Sequence, residues 1–125
     1  MLRTLTVAKT LGLALTLSFI GGQAFAAGAL AIDSNQGEQY GFAYDYPDLG
    51  QAGARALSEC GAGCQVVLQF ESGCGAYAAD QSGGSTAYGW ATDDSSSAAQ
   101  QGALAQCQSQ GGSSCTVRTW GCNAQ

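Results

Sequence analysis

Tyr40-Gly41-Phe42-Ala43-Tyr44-Asp45 returns as Tyr88-Gly89-Trp90-Ala91-Thr92-Asp93, and this pair of stretches decides the fold. The correspondence continues along both copies. Ala52, Ala56, Leu57 and Cys60 fall on Ala99, Ala103, Leu104 and Cys107, and Cys64 and Val66 fall on Cys115 and Val117. Phe70, Cys74 and Ala76 then fall on Trp120, Cys122 and Ala124, so that every cysteine has a counterpart. The reading is an internal repeat over about 40–79 and 88–125. A solenoid needs roughly three or more repeats, so two copies are expected to share one core.

Each copy has the same coarse plan. Tyr40–Tyr44 and Tyr88–Thr92 alternate large and small residues as strands do. Asp48 is an N-cap, with Gln51 three residues on, for a helix whose apolar face is Leu49, Ala52, Ala56, Leu57 and Cys60. The second helix is expected from about Ser95 to Cys107, capped by Asp94 or a neighbouring Ser. Cys64 to Phe70 alternates with Cys64, Val66, Leu68 and Phe70 on one side, a strand for which Cys115–Trp120 is a weaker counterpart. Glu71-Ser72-Gly73 is read as a hairpin turn into Gly75–Ala79, Gly28–Ile32 as a leading strand, and Ser82–Ser85 as a linker between the copies. The fold class is therefore α+β: two pseudo-symmetric strand-helix-strand halves sharing one antiparallel-rich sheet and core, with three disulfides.

Residues 1–26 carry Arg3 and Lys9, an apolar run from Leu11 to Ile20, and the small side chains of Ala24 and Ala26. That pattern predicts a secretory signal peptide, because the apolar run falls well short of the ~20 residues needed to span a bilayer. A single domain over 27–125 follows, secreted or periplasmic, with no membrane insertion after cleavage and a monomeric state. Its cations are Arg55 and Arg118 against nine carboxylates, a net charge of −7. Nucleic acid is excluded as a partner by that charge. The absence of His from all 125 residues removes imidazole catalysis and His-ligated zinc. No metal and no cofactor is expected.

Six cysteines in a small exported chain predict three disulfides. The expected pattern is Cys60–Cys64, Cys107–Cys115 and Cys74–Cys122: it respects the repeat, each short bridge joins a helix end to the strand that packs on that helix, and the last bridge crosses between the halves. Cys60–Cys74 with Cys107–Cys122 respects it as well. A structural zinc held by thiolates is the remaining alternative.

Gly28-Ala29-Leu30-Ala31-Ile32, Tyr40-Gly41-x-Ala43-Tyr44-Asp45-Tyr46-Pro47, Ala56-Leu57-x-x-Cys60, Cys64-x-Val66-Val67, Gly73-Cys74-x-Ala76, Tyr88-Gly89-Trp90-Ala91 and Cys115-x-Val117-x-x-Trp120-x-Cys122 together are a recognisable set. The chain resembles the exported bacterial family designated domain of unknown function 4189. The resemblance implies a secreted, disulfide-bonded α+β domain and brings no catalytic residue with it.

Candidate sites are few. Asp45 and Asp48 flank Tyr46-Pro47, and Asp93-Asp94 takes the equivalent place in the second copy. Such carboxylates bind Ca²⁺, act on glycosides, or cap helices. Asp33 to Tyr44 starts like a calcium loop and fails the template at its sixth and twelfth positions, Glu38 and Tyr44. No residue is assigned to catalysis: a nucleophilic Ser needs a base, and 27–125 has neither His nor Lys. Exposed rings among Tyr40, Phe42, Tyr44, Tyr46, Tyr77, Tyr88, Trp90 and Trp120 are binding candidates. The surface expected to bind a protein or an envelope glycan is Tyr44, Asp45, Tyr46 and Asp48. A carboxylate-dependent glycan hydrolase and a passive envelope component are the competing readings.

Overall fold

The computed structural model describes residues 26–33 and 38–124. All but the last residue of the expected leader, Ala26, lies outside them. The elements run β1 (Ala27–Asp33), β2 (Tyr40–Tyr46), α1 (Leu49–Cys60), β3 (Cys64–Phe70), β4 (Cys74–Asp80), β5 (Tyr88–Asp93), α2 (Ser96–Ser109) and β6 (Cys115–Cys122). The α+β class and antiparallel pairing are as expected. The single shared sheet is not: the strands form two sheets of three, ordered β2-β1-β3 and β5-β4-β6. Both sheets come from a β-β-α-β unit whose first strand lies in the middle.

That arrangement corrects three further expectations. The leading strand Gly28–Ile32 is the central strand of the first unit, and its equivalent is β4, so Ala27-Gly28-Ala29-Leu30-Ala31-Ile32-Asp33 lies in the place of Cys74-Gly75-Ala76-Tyr77-Ala78-Ala79-Asp80. The units therefore meet at 71–73, Glu71–Gly73 joins two sheets instead of closing a hairpin, and Ser82–Ser85 is a loop inside the second unit. The C-terminal strand pairs with β4 over its whole length, from Cys74↔Cys122 to Asp80↔Cys115.

Each helix covers one face of its own sheet. Ala52, Ala56 and Cys60 of α1 pack on Ala27, Ala29, Ala31 and Ala43, and Ala99, Ala103 and Cys107 of α2 pack on Cys74, Ala76 and Ala78. Alanine on both sides brings helix and strand close together, and glycine sits where they approach most closely. A Cβ on Gly41 would collide with the Ala56 carbonyl, and one on Gly89 with the Ala103 carbonyl, 2.6 Å away. Asp48 and Ser95 cap the helices, accepting from the amides of Gln51 at 2.8 Å and Ala98 at 3.1 Å.

The opposite faces of the sheets meet through Leu30, Ile32, Tyr77 and Ala79, flanked by Tyr40, Phe42, Val67, Leu68, Tyr88 and Trp90. Large side chains, scarce elsewhere, are concentrated in this layer. The Phe70 ring sits against Gly28 and Gly75, one glycine from each central strand, where added Cβ atoms would overlap it. Opposite Gly75 in β6 stands Gly121, whereas Gly28 faces Phe70 in β3. The structural counterpart of Phe70 is thus Gly121, one place beyond the sequence match to Trp120. The one-residue offset puts Trp120 on the other side of its strand, where it is 48% exposed.

The bridges are Cys60–Cys64, Cys107–Cys115 and Cys74–Cys122, and no cysteine is free. The thiolate-zinc alternative falls with them. Cys74–Cys122 does not join the halves as expected. Its cysteines face each other across β4 and β6 of one sheet, so it closes the second unit on itself. Among the described residues no helix is long and apolar enough to cross a membrane.

Candidate functional site: a polar groove at the end of the central strand

Of the four residues expected to form a surface, two have their carboxylates engaged by the fold. Asp45, at φ 64°, receives the Ala124 amide on its carboxylate at 2.6 Å and gives its own amide to Asn123 Oδ1 at 2.8 Å. Asn123, only 4% exposed, donates through Nδ2 to the Phe70 carbonyl at 3.2 Å and through its amide to Gly73 at 2.9 Å. This clasp ties the C-terminal residues of the second unit to the first. Asp48 accepts both the Gln51 amide and its side-chain Nε2, at 2.8 and 3.0 Å, and these bonds hold its carboxyl below the ordinary value. Tyr46 packs beside α1. Tyr44 is 45% exposed, with its ring against Gly121 and 5.9 Å from Phe42.

A concave feature lies elsewhere. A groove of about 340 Å³ is lined by Glu38, Ala79, the 80–85 segment and Arg118. Its frame is Asp80, the last residue of β4, where two loops converge on one carboxylate. Oδ1 accepts the Ser82 amide and hydroxyl at 3.1 and 3.0 Å and the Ser114 amide at 2.9 Å, while Oδ2 accepts the Ser113 amide at 3.3 Å. The Ser85 hydroxyl, then the Ser82 and Ser114 amides, hold the Asp80 carboxyl far below the usual carboxylate range. Further bonds tie the loops to each other and to the strand end: Gln81 amide to Ser114 carbonyl at 3.0 Å, Ser82 Oγ to Ser113 Oγ at 3.2 Å, and Asp80 amide to Ala87 carbonyl at 3.0 Å.

Arg118 forms the other wall. Its guanidinium carbon lies 5.1 Å above the Tyr40 ring, and the Tyr40 hydroxyl donates to the Arg118 carbonyl at 3.2 Å. Tyr40 in turn rests 5.4 Å from buried Tyr77, whose phenol is pushed above its ordinary value by burial. The cation is therefore held by the layer between the sheets. In sequence these residues carry no joint signal, because they lie far apart along the chain and Ser82–Ser85 has the composition of a linker. The available signals were the matching Asp33 and Asp80 at the ends of the two Ala/Gly-rich strands, and the isolated Arg118 in an otherwise uncharged strand.

Residues 27–122 match the family described as Domain of unknown function (DUF4189). The chain belongs to this family. The match begins with β1 and ends with β6, so both β-β-α-β units, the clasped layer between them and the groove walls, except Asp45's partners Asn123 and Ala124, lie inside the DUF4189 region. No curated protein and no solved structure matches the chain.

Proposed function

We propose that the protein is exported and acts by binding a small polar ligand in the Glu38–Asp80–Arg118 groove, without catalysing a reaction. The observation that carries this reading is the groove itself, a polar recess framed by loops whose own hydrogen bonds are made internally around Asp80. Preorganised walls reduce the ordering cost of binding. Export is supported by the leader pattern of residues 1–26 and by three disulfides, which form and persist in oxidising compartments.

The glycan-hydrolase reading places two demands on the groove's carboxylates. One must be protonated at working pH and the other free to attack or to activate water. Asp80 is held ionised by its donors, and its oxygens are occupied by the Ser85 hydroxyl and by bonds from Ser82, Ser113 and Ser114, which suits it to neither role. Glu38 is then the one other carboxylate lining the groove, without the second carboxylate that the reaction needs. A recess of this size seats a sugar ring or the end of a chain, not the face of a folded protein.

Thermal unfolding with a panel of sugars, muropeptides, amino acids and dipeptides tests the reading, with Arg118→Gln as the control. Saturating ligand at about 100 times Kd stabilises by roughly 2.7 kcal/mol, a rise in Tm on the order of 10 °C for a domain of this size. The expected result is such a rise with one class of solute, absent in Arg118→Gln, and the ligand recovered unchanged. Turnover of the ligand overturns the non-catalytic part, and silence across the panel overturns the groove as a site.

A further inference from the structure

The groove is lined by one cation, Arg118, and two carboxylates, Glu38 and Asp80, and the cation forms a salt bridge with neither. Among the described residues the salt bridge is Arg55–Glu59, at 2.8 Å on the exposed side of α1. Arg118 and Glu38 both line the groove and lie outside that ion pair, Arg118 resting on the Tyr40 ring. Asp80 is the other charge there, and its oxygens are already taken by the loop amides and the Ser82 hydroxyl. Between the walls the lining is Ser82, Gly83, Gly84 and Ser85, and a Cβ built on Gly83 or Gly84 meets nothing within 4 Å. The open middle is therefore polar and uncluttered, with opposite charges on the wall residues.

Resting on the binding reading above, we infer that the groove's ligand is a zwitterion of amino-acid or short-peptide type, its carboxylate on Arg118 and its ammonium on Glu38. The charges of the whole molecule favour this class over a simple ion. A net charge of −5 over the chain opposes an anion approaching Arg118, and a simple cation on Glu38 leaves the guanidinium without a partner. A zwitterion is neutral overall and satisfies both walls. Guanidinium pairs with carboxylate by two parallel N–H donors, which fixes orientation as well as sign. The volume, about 340 Å³, lies at the small end of ligand pockets, which run from about 300 to 1,000 Å³, and it limits the ligand to a few residues.

Titration calorimetry with three probes isolates each charge: glycylglycine, N-acetyl-glycylglycine without the ammonium, and glycylglycinamide without the carboxylate. Wild-type protein is expected to bind the free dipeptide at least about tenfold more tightly than either blocked form, since charge-assisted hydrogen bonds contribute about 1.5–3 kcal/mol. In Arg118→Gln the free and amidated dipeptides should bind alike, and in Glu38→Gln the free and acetylated dipeptides should. Circular dichroism and thermal midpoints of both variants establish that they are folded. Equal binding of all three probes by the wild type overturns the zwitterion while leaving the groove as a site. Arg118-dependent binding of an uncharged oligosaccharide with no binding of glycylglycine does the same. Failure of the dipeptides and of the whole solute panel overturns both readings together.

Discussion

Asp80 shows what a single carboxylate does here. Its ordinary value of 3.8 is lowered by the Ser85 hydroxyl, then by the Ser82 and Ser114 amides. A carboxyl depressed in the folded state binds fewer protons folded than unfolded, so its stabilisation is present above about 3.8 and is lost as pH falls through the folded value. Asp48 at the start of α1 shifts in the same direction, so the acid limb has two contributors. Asp80→Asn should lower the thermal midpoint at neutral pH and flatten its decline between about pH 5 and pH 2. Scanning calorimetry across that range checks the sign. An unchanged acid slope in the variant would remove Asp80 as the anchor of the two loops.

Among the elements, α2 depends most on its cap. Apart from Cys107 its sequence is Ser, Ala, Gln and Gly with Leu104 as its one large aliphatic, so the Ser95 hydroxyl on the Ala98 amide at 3.1 Å carries weight in setting its start. Ser95→Ala should cost about 1 kcal/mol, read as a shift in denaturant midpoint with unchanged slope. Both helices and their caps were legible beforehand, since cap chemistry and helical spacing are local properties. The central strands were harder to place. Ala27–Asp33 and Cys74–Asp80 are covered on both faces and read as Ala/Gly runs with little alternation. Without those strands in register, one sheet and two were indistinguishable, and the Phe70–Trp120 match slipped by one place. The groove was illegible for a different reason. It is assembled from the end of β4, Arg118 on the paired strand β6, and Glu38, which the packing of the first sheet on the second adds.

At the scale of the molecule, covalent restraint is uneven. The first unit has the short Cys60–Cys64 bridge, while the second has Cys107–Cys115 and the bridge from Cys74 to Cys122, across a separation of 48 residues. Loop-closure entropy ranks them at about 2, 2.5 and 4 kcal/mol respectively. Replacing Cys74 and Cys122 together by Ser should therefore destabilise most, and replacing Cys60 and Cys64 least, in matched chemical-denaturation curves. The reverse order would mean that packing, not the unfolded chain, sets the contribution of the bridges.

The same ring governs how the protein carries a load. A pull applied at Ala27 and Ala124 travels through the first unit to Cys74, crosses the sulfur bridge, and leaves at Cys122 without entering the loop between them. About 160 Å of contour is withheld for as long as the sulfurs stay bonded. Under tension the molecule is thus an asymmetric tether: one half can pay out, and the other, which holds most of the groove, stays slack inside its own covalent loop until a reductant opens it.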